Sequence, residues 1–352
     1  MSYLKKDRTR ESYFERMKTK APLTVRNGRY YLQKWDSFCE SQFKKNGDQV
    51  ILDLKKEDEA TTYDVMQSFV NHISNGLQPS SVPNYFSRVR DYLHYMGIKL
   101  DSKDVQHNIM FPRAEYEEAE PFTTDEQVLI LGLASHKQKA IYLLASSSGM
   151  RIGSIMQLRK SDFRTDGPRM MIKVRAETTK LKRAYTTFIS KEAEKYVRPY
   201  LKVEDHDLVF TKNTNWHHAE INEGNIFRRL LIKSGLVSRK KTGRYKKNIH
   251  SFRAHFITKV ARTDPNLSKK MTDQKGYLLQ YDRLTDEDLL ESYLKFESDL
   301  LIFDTSKKDN KILELQKANS LYQDALKAKD EAIKQRDEIL KGIKFGFTPF
   351  EN

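Results

Sequence analysis

The sequence predicts a mostly helical protein with a small β-hairpin or sheet, an α+β chain of two domains and a helical tail. Three observations predict it. Apolar and aromatic residues recur at three- and four-residue spacings through about residues 20–100, the period of a one-sided helix. A single pair of β-branched and aromatic runs, MMIKVRAET (170–178) and AYTTFIS (184–190), flanks a short basic turn, TKLKR. From about residue 307 a last helical stretch keeps apolar residues on a seven-residue track. The expected boundaries are 1–115 for a helical first domain, 116–302 for a mixed second domain and 303–352 for the tail.

In chain order, RNGRYYLQKWDSFCESQFKK sets Tyr31, Trp35 and Phe38 on one helical face. TTYDVMQSFVNHIS predicts a second helix, stopped by Asn75-Gly76. SSVPNYFSRVRDYLHYMG opens on serines suited to an N-cap and stops at Gly97. Its Tyr85, Tyr92 and Tyr95 read as core residues, and its Arg88 and Arg90 as phosphate contacts. FPRAEYEEAEPFTTDEQ (111–127) carries two prolines and a cluster of glutamates and reads as a linker. It ends at Thr123 and Thr124, with Glu126 and Gln127 placed to close a capping box. In the tail, Ile312, Leu315, Asn319, Tyr322, Leu326, Ile333, Leu340 and Ile343 share an a/d track that Lys329 and Arg336 interrupt. His217 and His218 beside Trp216 suggest a metal pair, but they are adjacent and lack further ligands, so a solvated loop is the reading there.

Composition narrows the function. Lys and Arg number 63 against 48 Asp and Glu, a net charge of +15 that attracts a polyanion such as nucleic acid or an anionic surface. No apolar stretch is long enough to span a bilayer, and the charged start MSYLKKDRTRESYFERMK lacks the apolar centre of a signal peptide. The single cysteine, Cys39, excludes an internal disulfide and disfavours a cysteine metal cage. The expectation is a cytoplasmic, DNA-associated protein with no membrane partner and no cofactor.

Two stretches carry chemistry. In SSSGMRIGSIMQLRKSDF (146–163) an apolar run gives way to three serines, a glycine and Arg151 before a helical pattern resumes. IHSFRAHF (249–256) places His250 and Arg253 three apart on one face of a helix, among apolar neighbours. An arginine amid apolar residues needs an anion beside it, and two guanidinium groups can hold the non-bridging oxygens of one phosphate. Between the two stretches lies the lysine-bearing hairpin TTKLKR, and after them a tyrosine-rich segment, QKGYLLQYDRLTDEDLLESYLKF (274–296).

Together these four segments resemble the tyrosine recombinase (phage integrase) family, and within it the archaeal integrases. SSSGMRIGSIMQL is similar to the family's first arginine box, RAETTKLKRAYTTFIS to its lysine hairpin and IHSFRAHF to its His-x-x-Arg box. GYLLQYDRLTDEDLLESYLKFESDLLI resembles the tyrosine-bearing end. The resemblance covers about residues 140–302, and the helical first block suits the family's core-binding domain. It implies a site-specific recombinase that cuts and rejoins double-stranded DNA through a 3′-phosphotyrosyl bond, with no cofactor, assembling as a tetramer on DNA. In that chemistry Arg151 and Arg253 stabilise charge on the phosphoryl oxygens, and Lys180 protonates the departing 5′-oxygen. His250 assists proton transfer or holds the phosphate, and Tyr281 attacks.

The sequence also departs from the family. Three positions after the first arginine the family has an acidic residue and this chain has Ser154, so support for Arg151 has to come from elsewhere. Gln274 occupies the usual place of a histidine before the tyrosine, with Lys275 the other choice. Tyr293 and Tyr277 compete with Tyr281 for the nucleophile, and Lys182 and Arg183 with Lys180 for the hairpin cation. The alternative function is a catalytically impaired relative that binds DNA as an accessory protein.

Overall fold

Residues 7–115, 117, 120–212, 215–276, 283–303 and 306–344 are described by a computed structural model of the chain. Internal contacts divide it into two units, Met1–Glu118 and Ala119–Asn352. The first unit is helical: α1 (Arg10–Arg16), α2 (Pro22–Phe43), α3 (Gly47–Leu54), α4 (Glu59–Ser74), α5 (Val82–Met96) and α6 (Ser102–Asn108). Helix α2 opens with Pro22 in its first turn, where no intrahelical N–H is missed, and ends where Lys44 turns left-handed at φ 55°. It buries Leu32, Trp35, Phe38 and Cys39 against α4, whose Met66, Phe69, Val70 and Ile73 follow the same spacing. Trp35 meets Phe69 edge-on at 5.3 Å, and burying an aromatic of this size contributes about 2–3 kcal/mol. The start of α3 approaches so closely that a Cβ on Gly47 would lie 2.4 Å from Trp35 and Asp36, so only glycine fits.

Of the α5 tyrosines, Tyr92 is fully buried and Tyr85 nearly so, while Tyr95 is half-buried against the edge of the same core. The arginines are engaged within their own unit. Arg88 pairs with Asp91 at 3.1 Å and reaches the Tyr13 hydroxyl, while Arg90 donates to the Leu100 carbonyl at 2.7 Å and to Ser102 at 2.8 Å. Both side chains stay partly exposed. A carbonyl at the end of the α5–α6 connection needs a donor, and Arg90 is the long side chain within reach.

The second unit is built around α8 (His136–Ser148), which follows α7 (Thr124–Leu133). The capping box appears as expected: the Thr123 side chain accepts from the Glu126 N–H and the Glu126 carboxylate from the Thr123 N–H. From Ala140 to Ser148 every residue of α8 is buried, because the element is covered on all sides. After the short α9 (Ile152–Ile155) come β1 (Phe163–Arg164), β2 (Met171–Val174) and β3 (Tyr185–Phe188), an antiparallel sheet in that order, with Met171 opposite Phe188 and Val174 opposite Tyr185. Ile172 and Val174 face the core while Lys173 faces solvent, the alternation of a half-buried strand. The predicted strand pair is therefore a three-stranded sheet, since β1 spans two residues and is too short for any alternation to register. Then follow α10 (Lys191–Val197), α11 (Trp216–Lys233), α12 (His250–Thr263), α13 (Pro265–Lys270), α14 (Asp286–Leu300) and α15 (Ser306–Lys344). Helices α10 and α12 flank α8, and Thr187 of β3 donates to the Ser148 carbonyl at 2.9 Å, locking sheet to helix. Along α15, Leu321, Tyr322, Leu326, Ile333 and Leu340 are exposed. Among the described residues no helix is long and apolar enough to cross a membrane.

One buried contact makes stability depend on pH. His255 of α12 lies against Gln127, its Nδ1 3.0 Å from Nε2, and burial lowers its pKa from 6.5 to about 4, with Lys259 adding repulsion. The unfolded imidazole binds a proton between these two values and the folded one does not. The stabilisation is therefore complete above pH 6.5 and declines as pH falls toward 4, by about 3 kcal/mol at most. His255→Gln should flatten this part of the pH dependence of the denaturation midpoint. Parallel wild-type and variant curves between about pH 7 and 4.5 would contradict the assignment.

Candidate active site

The segment SSSGMR is shaped by its own hydrogen bonds. Buried serines would strand their hydroxyls, so Ser147 and Ser148 donate back to the carbonyls of Leu143 and Leu144, at 2.7 and 2.6 Å, and Ser146 to Leu143 at 3.3 Å. Helix α8 then stops at Gly149, whose φ of 67° is left-handed. A Cβ there would stand 2.4 Å from the Phe256 ring and 2.6 Å from Thr272, so both backbone and packing demand glycine. Met150 plugs the core, and the chain turns Arg151 outward as the N-cap of α9, with its side chain 30% exposed.

Arg253 arrives from the first turn of α12 and is only 8% exposed. Its guanidinium donates to the Gly149 carbonyl through one nitrogen and to the Thr272 carbonyl, at 2.6 Å, through the other. One residue beyond Thr272, the Asp273 carboxylate accepts from Arg151 at 3.3 Å. Desolvation, reinforced by the charge of Arg151, pushes Arg253 down to about 10. A buried guanidinium in that state has less anionic compensation than its burial requires, and a phosphodiester would supply it. Tyr185 of β3 lies in the electrostatic field of Arg253, Asp273 and Arg151, and burial raises its phenol to about 12. His250 opens α12 as an exposed residue, yet crowding around its ring lowers its pKa; Glu220 opposes that shift and the charges of Arg253 and Arg151 add to it. An open depression beside the group is lined by Arg183, Tyr185, Lys269, Asp273, Gln274 and Arg283.

The structure thus brings Arg151, Arg253 and His250 into one electrostatic neighbourhood, and Gln274 adjoins it through Asp273. Gln274 is half-buried; its backbone N–H donates to the Lys269 carbonyl at 3.1 Å, and the residue lines the depression. Lys180 is exposed at the turn between β2 and β3 and makes no hydrogen bond or ion pair to a described residue. Its rival Lys182 is occupied, donating to the Glu177 carbonyl at 2.9 Å. Ser154 fastens the hairpin to α9 through the Thr178 carbonyl at 2.9 Å. Tyr281 and Tyr277 lie outside the described residues. Tyr293 is fully buried, and its hydroxyl donates to the Ser147 carbonyl at 3.0 Å, the environment of a packing residue. His217 and His218 sit in the first turn of α11 instead of a loop, where Asn215 caps the helix and Glu220 takes the His217 ring at 3.3 Å. Among the described residues no group of His, Cys, Asp or Glu could hold a metal ion. Sequence reasoning missed Asp273 and Tyr185. For Asp273 one signal existed: with serine at position 154, a carboxylate for Arg151 had to come from another segment.

Residues 121–269 match the phage integrase family. No curated protein sequence matches the chain. Among solved structures, the fold is similar to XerH site-specific recombinase bound to a palindromic difH substrate in its post-cleavage complex. That match has 17% identity and a TM-score of 0.53, over 80% of this chain and 82% of that one. The XerH pre-cleavage complex matches at 15% identity and a TM-score of 0.52 over the same shares. Lambda integrase bound to DNA matches at 12% identity and a TM-score of 0.52, over 74% of this chain and 88% of that one. At these identities the likeness is one of fold.

Proposed function

We propose that the chain is a site-specific tyrosine recombinase acting on double-stranded DNA. The observation that carries the reading is the meeting of two arginines 102 positions apart in sequence and both inside the family-matching segment: Arg151 on the Asp273 carboxylate and Arg253 on the neighbouring Thr272 carbonyl. Guanidinium groups held in one neighbourhood can stabilise a phosphoryl group as negative charge builds on its oxygens. The Tyr281 hydroxyl attacks the phosphorus, forming a 3′-phosphotyrosyl bond while the 5′-oxygen leaves, and Lys180 delivers that oxygen its proton. His250 holds the phosphate or takes the phenol's proton, and Gln274 donates a hydrogen bond to the phosphate. Bond energy stays in the covalent link, so rejoining needs only the reverse attack by a 5′-hydroxyl. The net charge of +15 supports a duplex partner bound largely through phosphates, and the exposed a/d residues of α15 support self-association on DNA. The family match and the DNA-bound state of the similar structures add support. Incubation with supercoiled DNA carrying the chain's cognate recombination site, followed by denaturing gel analysis, should reveal a covalent protein–DNA adduct. Its absence would favour a DNA-binding relative, the reading that glutamine at position 274 recommends.

The role of Lys180 has its own test. Lys180→Ala should slow cleavage of ordinary DNA about 100-fold or more, in the range typical of general acid catalysis. A substrate with sulfur at the scissile 5′-bridging position, whose thiolate leaves without a proton, should restore the rate. A variant equally slow on both substrates would place Lys180 outside the proton transfer.

A further inference from the structure

Asp273 is the least comfortable residue of this neighbourhood. Its carboxylate has 0% side-chain exposure, a position that a charged group tolerates only beside a cation. Oδ2 meets Arg151 at 3.3 Å, while Oδ1 is buried with no hydrogen-bond partner among the described residues. The backbone is also unusual, with φ of 51° in the left-handed region that aspartate tolerates better than most residues. That twist lets consecutive residues serve different guanidinium groups: the Thr272 carbonyl takes Arg253 and the Asp273 side chain takes Arg151. The contact to Arg151 is single and long, so it orients the guanidinium without using up the other donors, and 30% of that side chain stays exposed. Ser154 offers no alternative, because its hydroxyl is turned to the Thr178 carbonyl.

We propose that Asp273 is the positioning residue that holds Arg151 toward phosphate, supplying from the turn after α13 the carboxylate that Ser154 does not. The proposal rests on the recombinase reading above and deepens it. Asp273 acts through Arg151 and touches no reacting atom.

The test uses the full chain and a nicked duplex bearing the cognate recombination site, so that cleavage is trapped as adduct. Two substitutions remove the charge: Asp273→Asn keeps the shape, and Asp273→Gly relaxes the backbone. Either should slow adduct formation about 10- to 100-fold, the cost of a displaced reacting geometry, with DNA affinity held within a few-fold of wild type. Circular dichroism melting identifies which of the two remains folded at the assay temperature, and that one decides. The same change in an Arg151→Ala background should produce no further loss, because residues that act as one unit are not additive. A merely structural carboxylate would slow both backgrounds by the same factor, and that outcome, or an Asp273→Asn rate equal to wild type, overturns the proposal. A wild type that forms no adduct overturns the recombinase reading itself, whereas active wild type with silent Asp273 variants overturns only this inference.

Discussion

Tyr281→Phe is expected to leave DNA binding intact and to eliminate the covalent adduct. The substitution removes one oxygen, the proposed nucleophile, while ring, volume and net charge are kept. A phosphotyrosyl bond to this oxygen cannot form without it, so the expected effect is complete loss and not a slower rate. Filter binding and denaturing gels on the same samples separate the two properties. Tyr293→Phe is the control. Its hydroxyl is buried in a bond to the Ser147 carbonyl at 3.0 Å, so removal costs about 1 kcal/mol of stability and leaves the adduct. An adduct that survives Tyr281→Phe and disappears in Tyr293→Phe would move the nucleophile to α14.

Arg253→Ala lowers cleavage at least about 100-fold, and Arg151→Ala does the same, since removing one donor to the charge of a transition state costs about 3 kcal/mol or more. The two differ in what else they disturb. Arg253 satisfies the Gly149 and Thr272 carbonyls from a position only 8% exposed, so its loss also strands two buried acceptors, at about 1–3 kcal/mol each. Arg151→Ala leaves the buried Asp273 carboxylate without its cation. Single-turnover cleavage measured well below each melting temperature reads the chemical loss alone. A rate within a few-fold of wild type for either variant would remove that arginine from the phosphate site.

What was legible in the sequence was what neighbouring residues encode. The helices α2, α4 and α5 follow from apolar residues three and four apart, the start of α7 from Thr123 and Glu126, and β2 and β3 from β-branched runs around a basic turn. The odd stretch around Arg151 was visible as an arginine following buried serines, because a helix that stops at a left-handed glycine leaves a local signature. The tertiary structure alone decided which groups meet. Arg88 and Arg90 look like phosphate contacts in a basic chain, and the fold also gives them partners within their own unit, Asp91 and the Leu100 carbonyl. Gly149 and Arg253 stand 104 positions apart, and Arg151 and Asp273 stand 122 apart. No periodicity connects such residues. Their pairing depends on where α8, α12 and the turn after α13 come to rest, and that is set by burying Phe252 and Phe256, not by the charged groups themselves. Tyr185 is half-buried on a strand whose pattern marks only an inner and an outer face, and it joins the arginines because the sheet is fastened to α8 through Thr187 and Ser148. Local spacing encodes which residues carry charge into a packed region, and the packing of distant apolar surfaces determines what that charge faces.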